Sequence, residues 1–230
     1  MGETGYLQHA LGYLKDFFNA QKLTGNSLIF IPYAGVSISY DRYEQMVNSA
    51  FSQIGLNLRS LHHFDDKVKA IQSSSGIVVG GGNTFALLNA LYQYNLVDLI
   101  KVQVDQGTPY VGWSAGSNIA TPSIKTTNDM PIVEPPSFNA LNLIPWQINP
   151  HYLDANPPGH NGETRQQRIE EFLLANPNQQ VIGLPEGTGL LVNKKSISYL
   201  GSCCGYLFNR NGKSEFTTSQ SLNKHLTEND

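Results

Sequence analysis

The sequence predicts an α/β fold: a mainly parallel central sheet with helices on both faces, and short antiparallel strands near the C-terminus. Short apolar segments typical of buried strands alternate along the chain with segments of helical periodicity. This order favours a parallel sheet that is covered on both faces. Two of the strand segments run directly into glycine-rich turns. Because ligands bind at the carboxyl ends of the strands in such sheets, these turns are candidate sites.

The predicted helices rest on apolar residues at helical spacing. In the first helix, Leu7, Leu11, Leu14 and Phe18 recur every three or four residues and share one face. The helix that begins at Glu163 is amphipathic in the same way. Helices are predicted over residues 5–20, 40–54, 65–73, 84–92, 97–106 and 163–175, with a further short helix after Ser114.

The predicted strands are short apolar runs bounded by proline, glycine or polar residues. They lie in SLIFIPY, NLRSL, GIVV and TPYVG, in QQVIGLPEGTGLLVN as a strand, a turn and a strand, and in SISYLGSCCGYLFN as short antiparallel strands. Residues 121–150, rich in Pro and Asn, are predicted as a long loop region, a feature that is often functional inside a domain. The polar tail from about residue 212 is predicted to be poorly ordered.

Length and composition predict one soluble domain. The chain of 230 residues fits a single α/β domain over residues 1–230. Hydrophobic residues make up 40% and charged residues 14%, as in ordinary globular proteins. A net charge of −3 without a basic block argues against nucleic acid as a partner. No apolar run approaches the roughly 18 residues of a membrane-spanning helix, and the N-terminus lacks a signal-peptide pattern.

Cysteine usage predicts a reducing, cytoplasmic location. The two cysteines, Cys203 and Cys204, are adjacent, and neighbouring cysteines rarely bridge each other because the ring is strained. No His, Cys and Asp residues have the spacing of metal ligands. The sequence therefore predicts neither a metal nor another cofactor.

The segment Gly112-Trp113-Ser114-Ala115-Gly116 follows the strand TPYV and precedes a short helix. A serine in a strained strand-to-helix turn crowds its neighbours, so small residues must flank it. Its hydroxyl then projects above the sheet, and the N–H of Ala115 faces a developing oxyanion, where the helix dipole adds a favourable field. Two interpretations stay open here: a nucleophile at the end of a strand, or a structural turn without chemistry.

The second glycine-rich turn is GGGNTF, residues 80–85. It is not a phosphate-binding loop, because no Lys-Ser/Thr follows, and it does not fit GxGxxG. Its glycines let the backbone approach a ligand and direct N–H groups at it, so one of them is a candidate for a second oxyanion donor. The turn also fits a simple helix cap through Asn83 or Thr84. The two interpretations are compatible.

A serine nucleophile needs a base, and the base needs an acid that orients it. His151, in QINPHYLD, follows a short apolar segment and is the first candidate for the base; His160, in a more polar loop, is its rival. Asp129 and Glu186 are the candidate acids. Its position at a strand end, between Pro and Gly, favours Glu186. The chain order serine, acid, histidine of α/β-hydrolases favours Asp129.

Arg165 lies at the start of a predicted helix, where a cation is unfavourable. A bound carboxylate would hold it there, because a guanidinium group meets a carboxylate in a two-pronged fork. On these residues alone, an ordinary surface arginine is the simpler interpretation.

Together these segments resemble the peptidase E family, the α-aspartyl dipeptidases. The resemblance is carried, in order along the chain, by GYLQHAL, FIPYAGV, VVGGGNTF, GWSAGSN, TTNDMPIVEP, INPHY, GHNGETRQQRI and VIGLPEGT. It covers nearly the whole chain and weakens after about Ser202. It implies an α/β fold related to flavodoxin-like and class I glutaminase domains. It also implies a cytoplasmic serine exopeptidase that cleaves dipeptides with an N-terminal aspartate.

The resemblance further implies roles for individual residues of these motifs. They are Ser114 as the nucleophile, His151 as the base, either Asp129 or Glu186 as the third member, backbone oxyanion donors at Gly82 and Ala115, and Asn83 and Arg165 beside the substrate aspartate.

One departure from the family pattern concerns the first strand. Family members usually begin with an apolar strand, whereas only Met1 to Thr4 precede GYLQHAL here, so this strand is predicted to be missing or replaced. The expected partners are Asp-X dipeptides, bound by a monomer or a small homo-oligomer. Two other classes of function stay open: another serine hydrolase of this fold, such as a cyanophycin-type peptidase or an esterase, and a non-catalytic small-molecule binding module.

Overall fold

The computed structural model of the chain describes residues 5–23, 27–153, 159, 162–193 and 196–227. The chain divides into two compact units: the first unit is Met1–Ile124 with Asp129–Ile144, and the second unit is Lys125–Asn128 with Pro145–Asp230. The single domain expected from the length stays a prediction. The departure from the family pattern at residues 1–4 lies outside the described residues.

The first unit contains a four-stranded parallel sheet with the strand order β2-β1-β3-β4. Its strands are β1 Leu28–Ile31, β2 Leu58–Ser60, β3 Gly76–Val79 and β4 Tyr110–Gly112. Its helices are α1 Leu11–Ala20, α2 Tyr40–Phe51, α3 Lys67–Gln72, α4 Thr84–Gln93, α5 Val97–Asp105 and α6 Ala115–Ile119. Two short 3₁₀ helices, Ser52–Ile54 and Leu61–His63, follow α2 and β2.

Alternate residues of the central strands face opposite sides of this sheet, and helices cover both sides. Ile29 and Ile31 belong to a buried cluster with residues of α3, α4, α5 and α6. Leu28 and Phe30 belong to a second cluster with residues of α1 and α2. Because successive side chains of a strand point to opposite faces, the two clusters lie on the two faces. The predicted α/β class with helices on both faces is therefore confirmed.

The second unit contains a mixed sheet with the strand order β10-β9-β6-β5. β5 and β6 are parallel, and the other neighbours are antiparallel. The strands of this unit are β5 Gln147–Pro150, β6 Val181–Leu184, β7 Gly189–Asn193, β8 Ser196–Leu200, β9 Gly205–Asn209 and β10 Gly212–Phe216, and its helices are α7 Arg165–Ala175 and α8 Ser219–Thr227. β7 and β8 form a separate antiparallel hairpin. The short antiparallel strands predicted near the C-terminus are thus confirmed.

Several helices begin where the sequence supplies a capping side chain. Ser39, Asp66 and Asn83 each accept a hydrogen bond from a backbone N–H three residues further on, at the starts of α2, α3 and α4. Thr164 and Gln167 form a reciprocal capping box at the start of α7. These bonds satisfy N–H groups that a helix start leaves without intrahelical partners. None of the helices formed by the described residues is long and apolar enough to cross a membrane.

β5 lies inside the segment 121–150, so the prediction of a loop is wrong for the last four residues of that segment. No apolar run marks this strand in the sequence, because its buried residues Gln147 and Asn149 are polar. Hydrogen bonds make this burial possible. Nδ2 of Asn149 donates to the carbonyl of Thr126 at 2.9 Å, and the Thr126 hydroxyl donates to the carbonyl of Ile148 at 3.0 Å.

The prediction of a poorly ordered tail is wrong for residues 212–227. β10 pairs with β9, and its last residue, Phe216, is buried with its ring 4.9 Å from that of Tyr199. Leu222 of α8 is also fully buried. A few buried apolar side chains hold this segment in place, although most of its residues are polar. The polar composition of the tail therefore led to the prediction of disorder.

The turn between β4 and α6 packs against neighbouring backbone at glycine positions. A Cβ atom added to Gly116 would lie 2.4 Å from the carbonyl oxygen of Val79 in β3. One added to Gly112 would lie 2.4 Å from the carbonyl oxygen of Gly116, which also accepts a 2.6 Å hydrogen bond from the Tyr110 hydroxyl. No side chain can come so close to a carbonyl oxygen. Packing therefore requires glycine on both sides of Ser114.

We predict that Gly116→Ala destabilises the protein, whereas Gly12→Ala does not. The added methyl group at Gly116 meets backbone that cannot move aside, and overpacking of this kind lowers the free energy of unfolding by about 1–3 kcal/mol. Gly12 is an exposed residue of α1 with nothing within 4 Å of an added Cβ, so alanine is expected to raise that free energy by up to about 1 kcal/mol. Urea unfolding of both variants measures the difference. Equal stabilities would show that the turn is not so tightly packed.

Candidate active site

Ser114 lies between β4 and α6 with a backbone conformation that L-residues rarely adopt, φ 53° and ψ −114°. Such a conformation costs about 1–3 kcal/mol and persists where the surroundings enforce it, often at functional sites. The Ser114 side chain makes no capping hydrogen bond to α6. Its carbonyl oxygen, by contrast, accepts 3.0 Å bonds from the N–H groups of Ser117 and Asn118. The hydroxyl of this half-buried residue is therefore not what begins the helix.

The turn after β3 packs directly against Ser114. A Cβ atom added to Gly81 would lie 2.9 Å from the Cβ of Ser114. One added to Gly82, whose φ is +131°, would lie 2.1 Å from the carbonyl oxygen of Ala34. The backbone here passes beside Ser114 through a space that admits only glycine. Gly82 and Ala115, the predicted oxyanion donors, thus belong to two turns in contact with each other.

A chain of hydrogen bonds also joins these two turns. Nε1 of Trp113 donates to the Tyr6 hydroxyl at 2.9 Å, and the Tyr6 hydroxyl donates to the Tyr43 hydroxyl at 3.2 Å. The Tyr43 hydroxyl donates to the Gly81 carbonyl at 2.9 Å. Burial raises the pKa of Tyr43, so this hydroxyl keeps its proton. Because a peptide group is planar and trans, the bond to the Gly81 carbonyl also fixes the direction of the Gly82 N–H.

The polar side chains next to this turn are used at the start of α4. Oδ2 of Asp129 accepts bonds from the backbone N–H and the hydroxyl of Thr84, at 2.7 and 2.6 Å. Oδ1 of Asn83 accepts from the N–H of Ala86 at 3.0 Å, and its Nδ2 donates to the carbonyl of Met130 at 2.8 Å. The turn GGGNTF therefore caps a helix, and both polar atoms of Asn83 have partners within the first unit.

In the second unit, the structure pairs His151 with Glu186. Nδ1 of His151 lies 2.5 Å from Oε1 of Glu186. Glu186 occupies a turn after β6 in which the N–H and the hydroxyl of Thr188 donate to the carbonyl of Pro185, and Gly187 has φ 76°. The two side chains are 44% and 76% exposed, so water screens their attraction. The main effect of the bond is to orient the imidazole ring and its tautomer.

The backbone at His151 is also strained, with φ 53°. On its N-terminal side, the carbonyl of Pro150 accepts a 3.1 Å bond from Nδ2 of Asn128. On its C-terminal side, the N–H of Tyr152 donates to the carbonyl of Leu184 at 2.9 Å. Six non-glycine residues among the described part of the chain have positive φ, and Ser114 and His151 are two of them. Such outliers are a reason to look for function.

Arg165 contributes to the same support, because its Nη1 also donates to the Pro150 carbonyl, at 3.0 Å. Burial lowers the pKa of Arg165, the nearby Arg168 lowers it further, and Glu186 opposes both effects. The guanidinium group still carries its charge at neutral pH. A partly desolvated cation is stabilised by an anion close to it, and four of the five guanidinium N–H groups are not used by the bond to Pro150.

The predicted site residues thus form two groups, each inside one unit. The first unit holds Gly82, Asn83, Ser114, Ala115 and Asp129, and the second holds His151, Arg165 and Glu186. His160, the alternative candidate for the base, lies outside the described residues.

Comparison with known proteins identifies the family. The model of peptidase family S51 matches residues 1–200. The chain belongs to peptidase family S51. A protein of Shewanella denitrificans named peptidase E is 52% identical over 208 residues, which cover 90% of this chain and 87% of the relative. The chain is therefore a peptidase, a hydrolase of peptide bonds, and the resemblance to peptidase E in its motifs is confirmed.

Two solved structures share the fold of this S51 chain. A protein from Listeria monocytogenes EGD-e, assigned as a peptidase E, aligns with a TM-score of 0.65 and 22% identity, covering 85% of this chain and 95% of that chain. A peptidase from an acI-B1 Actinobacterium aligns with a TM-score of 0.67 and 16% identity, covering 91% and 88%. At these identities the likeness concerns the fold alone.

A group of candidate metal ligands that the sequence did not indicate lies in the first unit of this S51 peptidase. Asp41, His62 and His63 offer three ligand atoms that lie within 4.8 Å of one another. The expectation from the sequence that the protein needs no metal stays a prediction. The spacing of ligand residues along the sequence does not reveal this group, because Asp41 lies on α2, 21 residues before His62. The one local signal was the pair of adjacent histidines after β2.

Proposed function

We propose that this S51 peptidase is a serine dipeptidase that hydrolyses Asp-X dipeptides through an acyl-enzyme. The observation that carries the proposal is the Ser114 turn. Its strained backbone is enforced by glycine packing, and its hydroxyl does not cap the helix that follows. A structural turn needs neither feature, whereas a nucleophile presented at the end of a strand needs both.

In the proposed reaction, the Ser114 oxygen attacks the carbonyl carbon of the Asp-X bond while His151 takes the hydroxyl proton. The carbonyl oxygen becomes an oxyanion that accepts hydrogen bonds from the N–H groups of Gly82 and Ala115. The C–N bond then breaks, and His151 gives its proton to the leaving amine. Water attacks the acyl-enzyme by the same route, which releases aspartate and restores the serine.

Glu186 is the third member in this proposal. Its 2.5 Å contact with Nδ1 of His151 supports the role, because a carboxylate there accepts the Nδ1 proton and leaves Nε2 for proton exchange. Asp129 has a different use, at the start of α4. We therefore assign Asp129 to the support of the Gly82 turn rather than to the base.

Selectivity for aspartate is assigned to Arg165. Its partly buried guanidinium group would bind the substrate side-chain carboxylate through N–H groups that the Pro150 carbonyl does not use. A dipeptide without that carboxylate leaves the cation without its anion, and such a loss is costly. Asn83 is not part of this proposal, because its polar atoms already have partners. The cytoplasmic location and the oligomeric state stay predictions from the sequence.

We predict that the wild-type protein, without added metal, cleaves Asp-Leu but not Leu-Leu, Glu-Leu or acetyl-Asp-Leu. Ser114→Ala is expected to lower kcat on Asp-Leu by about 10³-fold or more, because it removes the nucleophile. Ser49→Ala, which removes an exposed hydroxyl of α2, is the matched control and is expected to keep wild-type activity. Liquid chromatography of the released leucine measures all of them.

Three results would contradict this proposal and point elsewhere. Ester cleavage without Asp-Leu cleavage would indicate another serine hydrolase of this fold. Folded protein that cleaves none of the substrates and resists labelling by a fluorophosphonate would indicate a binding module. Full activity in Ser114→Ala would exclude the serine as nucleophile.

The two candidate acids are separated by a pair of amide substitutions. Glu186→Gln is expected to lower kcat by about 10²-fold or more, because the imidazole loses the acceptor that fixes its tautomer. Asp129→Asn keeps an oxygen that accepts from Thr84, so kcat is expected to fall less than about tenfold, and the free energy of unfolding by about 1 kcal/mol. Steady-state kinetics and urea unfolding measure the two effects. The reverse order of the two kcat values would make Asp129 the third member.

The Tyr43 hydroxyl is predicted to act on catalysis by positioning. Tyr43→Phe removes the bond that holds the Gly81 carbonyl and hence the Gly82 N–H, so kcat on Asp-Leu is expected to fall about tenfold, with KM changed less than about twofold. Tyr92→Phe is the control, because it also removes a 2.9 Å bond from a tyrosine hydroxyl to a carbonyl, that of Asn139. It is expected to keep wild-type kcat. Equal kcat values for the two variants would refute the positioning role.

A further inference from the structure

We propose that Asp41, His62 and His63 form a binding site for Zn²⁺ or a similar late first-row divalent cation. Nε2 of His62 lies 2.9 Å from Oδ1 of Asp41, and Nε2 of His63 lies 3.5 Å from the same oxygen. The three ligand atoms all lie within 4.8 Å of one another. The site belongs to the first unit and involves none of the residues of the proposed peptidase reaction.

The distances suit a small cation with nitrogen and oxygen ligands. Zn²⁺ binds imidazole nitrogen and carboxylate oxygen at about 2.0–2.2 Å and prefers a tetrahedral arrangement. Neighbouring ligand atoms in such a site are then about 3.3–3.5 Å apart. The two separations from the Asp41 oxygen, 2.9 and 3.5 Å, are close to this value, and the two histidine ligand atoms lie within 4.8 Å of each other. Side-chain rotation of the histidines is then enough to complete the set. Mg²⁺, which prefers six oxygen ligands, does not fit this set.

The second ring nitrogen of His62 is hydrogen-bonded, as is usual for histidines that bind metals. Nδ1 of His62 lies 2.7 Å from the hydroxyl of Ser60, a fully buried residue of β2. A proton on Nδ1 that is shared with this hydroxyl leaves Nε2 with its lone pair for the cation. The N–H of Ser60 in turn donates to Oε1 of Glu44 at 2.6 Å.

Glu44 supplies a further oxygen beside the cluster. Its Oε2 lies 2.7 Å from Nε2 of His63, and its side chain is largely buried, with 16% exposed. Asp41 and Glu44 are three residues apart on α2, so they share one face of that helix. Glu44 is not one of the three grouped ligands; its contact orients the His63 ring, and a water molecule can complete a tetrahedral set of three protein ligands.

The position in the sheet separates this site from Ser114. The histidines follow β2, at one edge of the sheet in the first unit, and Ser114 follows β4, at the other edge. Three strand spacings of about 4.8 Å put roughly 14 Å between these strands. A cation here would tie the start of α2 to the end of β2, and its effect is on stability and not on the reacting atoms.

The test is isothermal titration of Zn²⁺ into tag-free, chelator-treated full-length protein. Saturable binding at one site per chain is expected, with Kd in the micromolar range or tighter and no competition from a large excess of Mg²⁺. Asp41→Asn, His62→Ala and His63→Ala are each expected to weaken Zn²⁺ binding more than about tenfold, and Ser60→Ala by about 10- to 100-fold. His9→Ala, which removes an exposed histidine outside the cluster, is the control and is expected to bind like the wild type.

A second measurement keeps the test sound if a variant fails to fold. Co²⁺ bound to the wild-type protein is expected to give the visible absorption of a tetrahedral site, which added Zn²⁺ abolishes, and Zn²⁺ is expected to raise Tm because it binds the folded state. Absence of saturable Zn²⁺ binding and of a Co²⁺ spectrum would overturn the proposal. So would Zn²⁺ binding that survives the cluster variants and disappears in His151→Ala.

Discussion

The candidate site depends on one constraint: two turns of the first unit approach each other more closely than side chains would allow. Gly81 meets the Cβ of Ser114, and Gly116 meets the carbonyl oxygen of Val79. The carbonyl oxygen is part of the backbone and the Cβ position is fixed by the backbone, so neither atom can rotate aside. Once they form, the residue between β4 and α6 has little choice of conformation, and this explains why Ser114 keeps a positive φ that costs free energy.

The strained backbone of His151 in the second unit is also held by its surroundings. Here hydrogen bonds hold the strained backbone. The carbonyl of Pro150 accepts from both Asn128 and Arg165, and the N–H of Tyr152 is bonded to β6. Each such bond contributes about 1 kcal/mol, enough in sum to maintain one strained residue. At both positions, contacts within the same unit thus offset the free-energy cost of the strained backbone.

Much of the fold and of the candidate site followed from local sequence patterns, and the failures share a cause. Apolar periodicity located the helices α1 to α7 and the four parallel strands of the first unit, and glycine spacing located the Ser114 turn, because these depend on neighbours in the chain. β5 was missed because its burial depends on β6, which is distant in sequence, and β10 because most of its residues are polar. The choice between Asp129 and Glu186 has the same origin, as chain order says nothing about which carboxylate reaches the imidazole. The cluster of Asp41 with His62 and His63 likewise forms only when α2 packs beside β2.

Several polar residues of the motifs turn out to support backbone, and this changes what their presence in a motif means. Asn83 and Asp129 fix the start of α4, and Arg165 holds the peptide group before His151. A substrate contact and a support are compatible for Arg165, because a guanidinium group has five N–H donors and Pro150 uses one. They are harder to combine for Asn83, whose amide already donates to one carbonyl and accepts from one N–H. The number of donors and acceptors that the fold leaves over, rather than membership of a motif, therefore decides which of these side chains is available to a substrate.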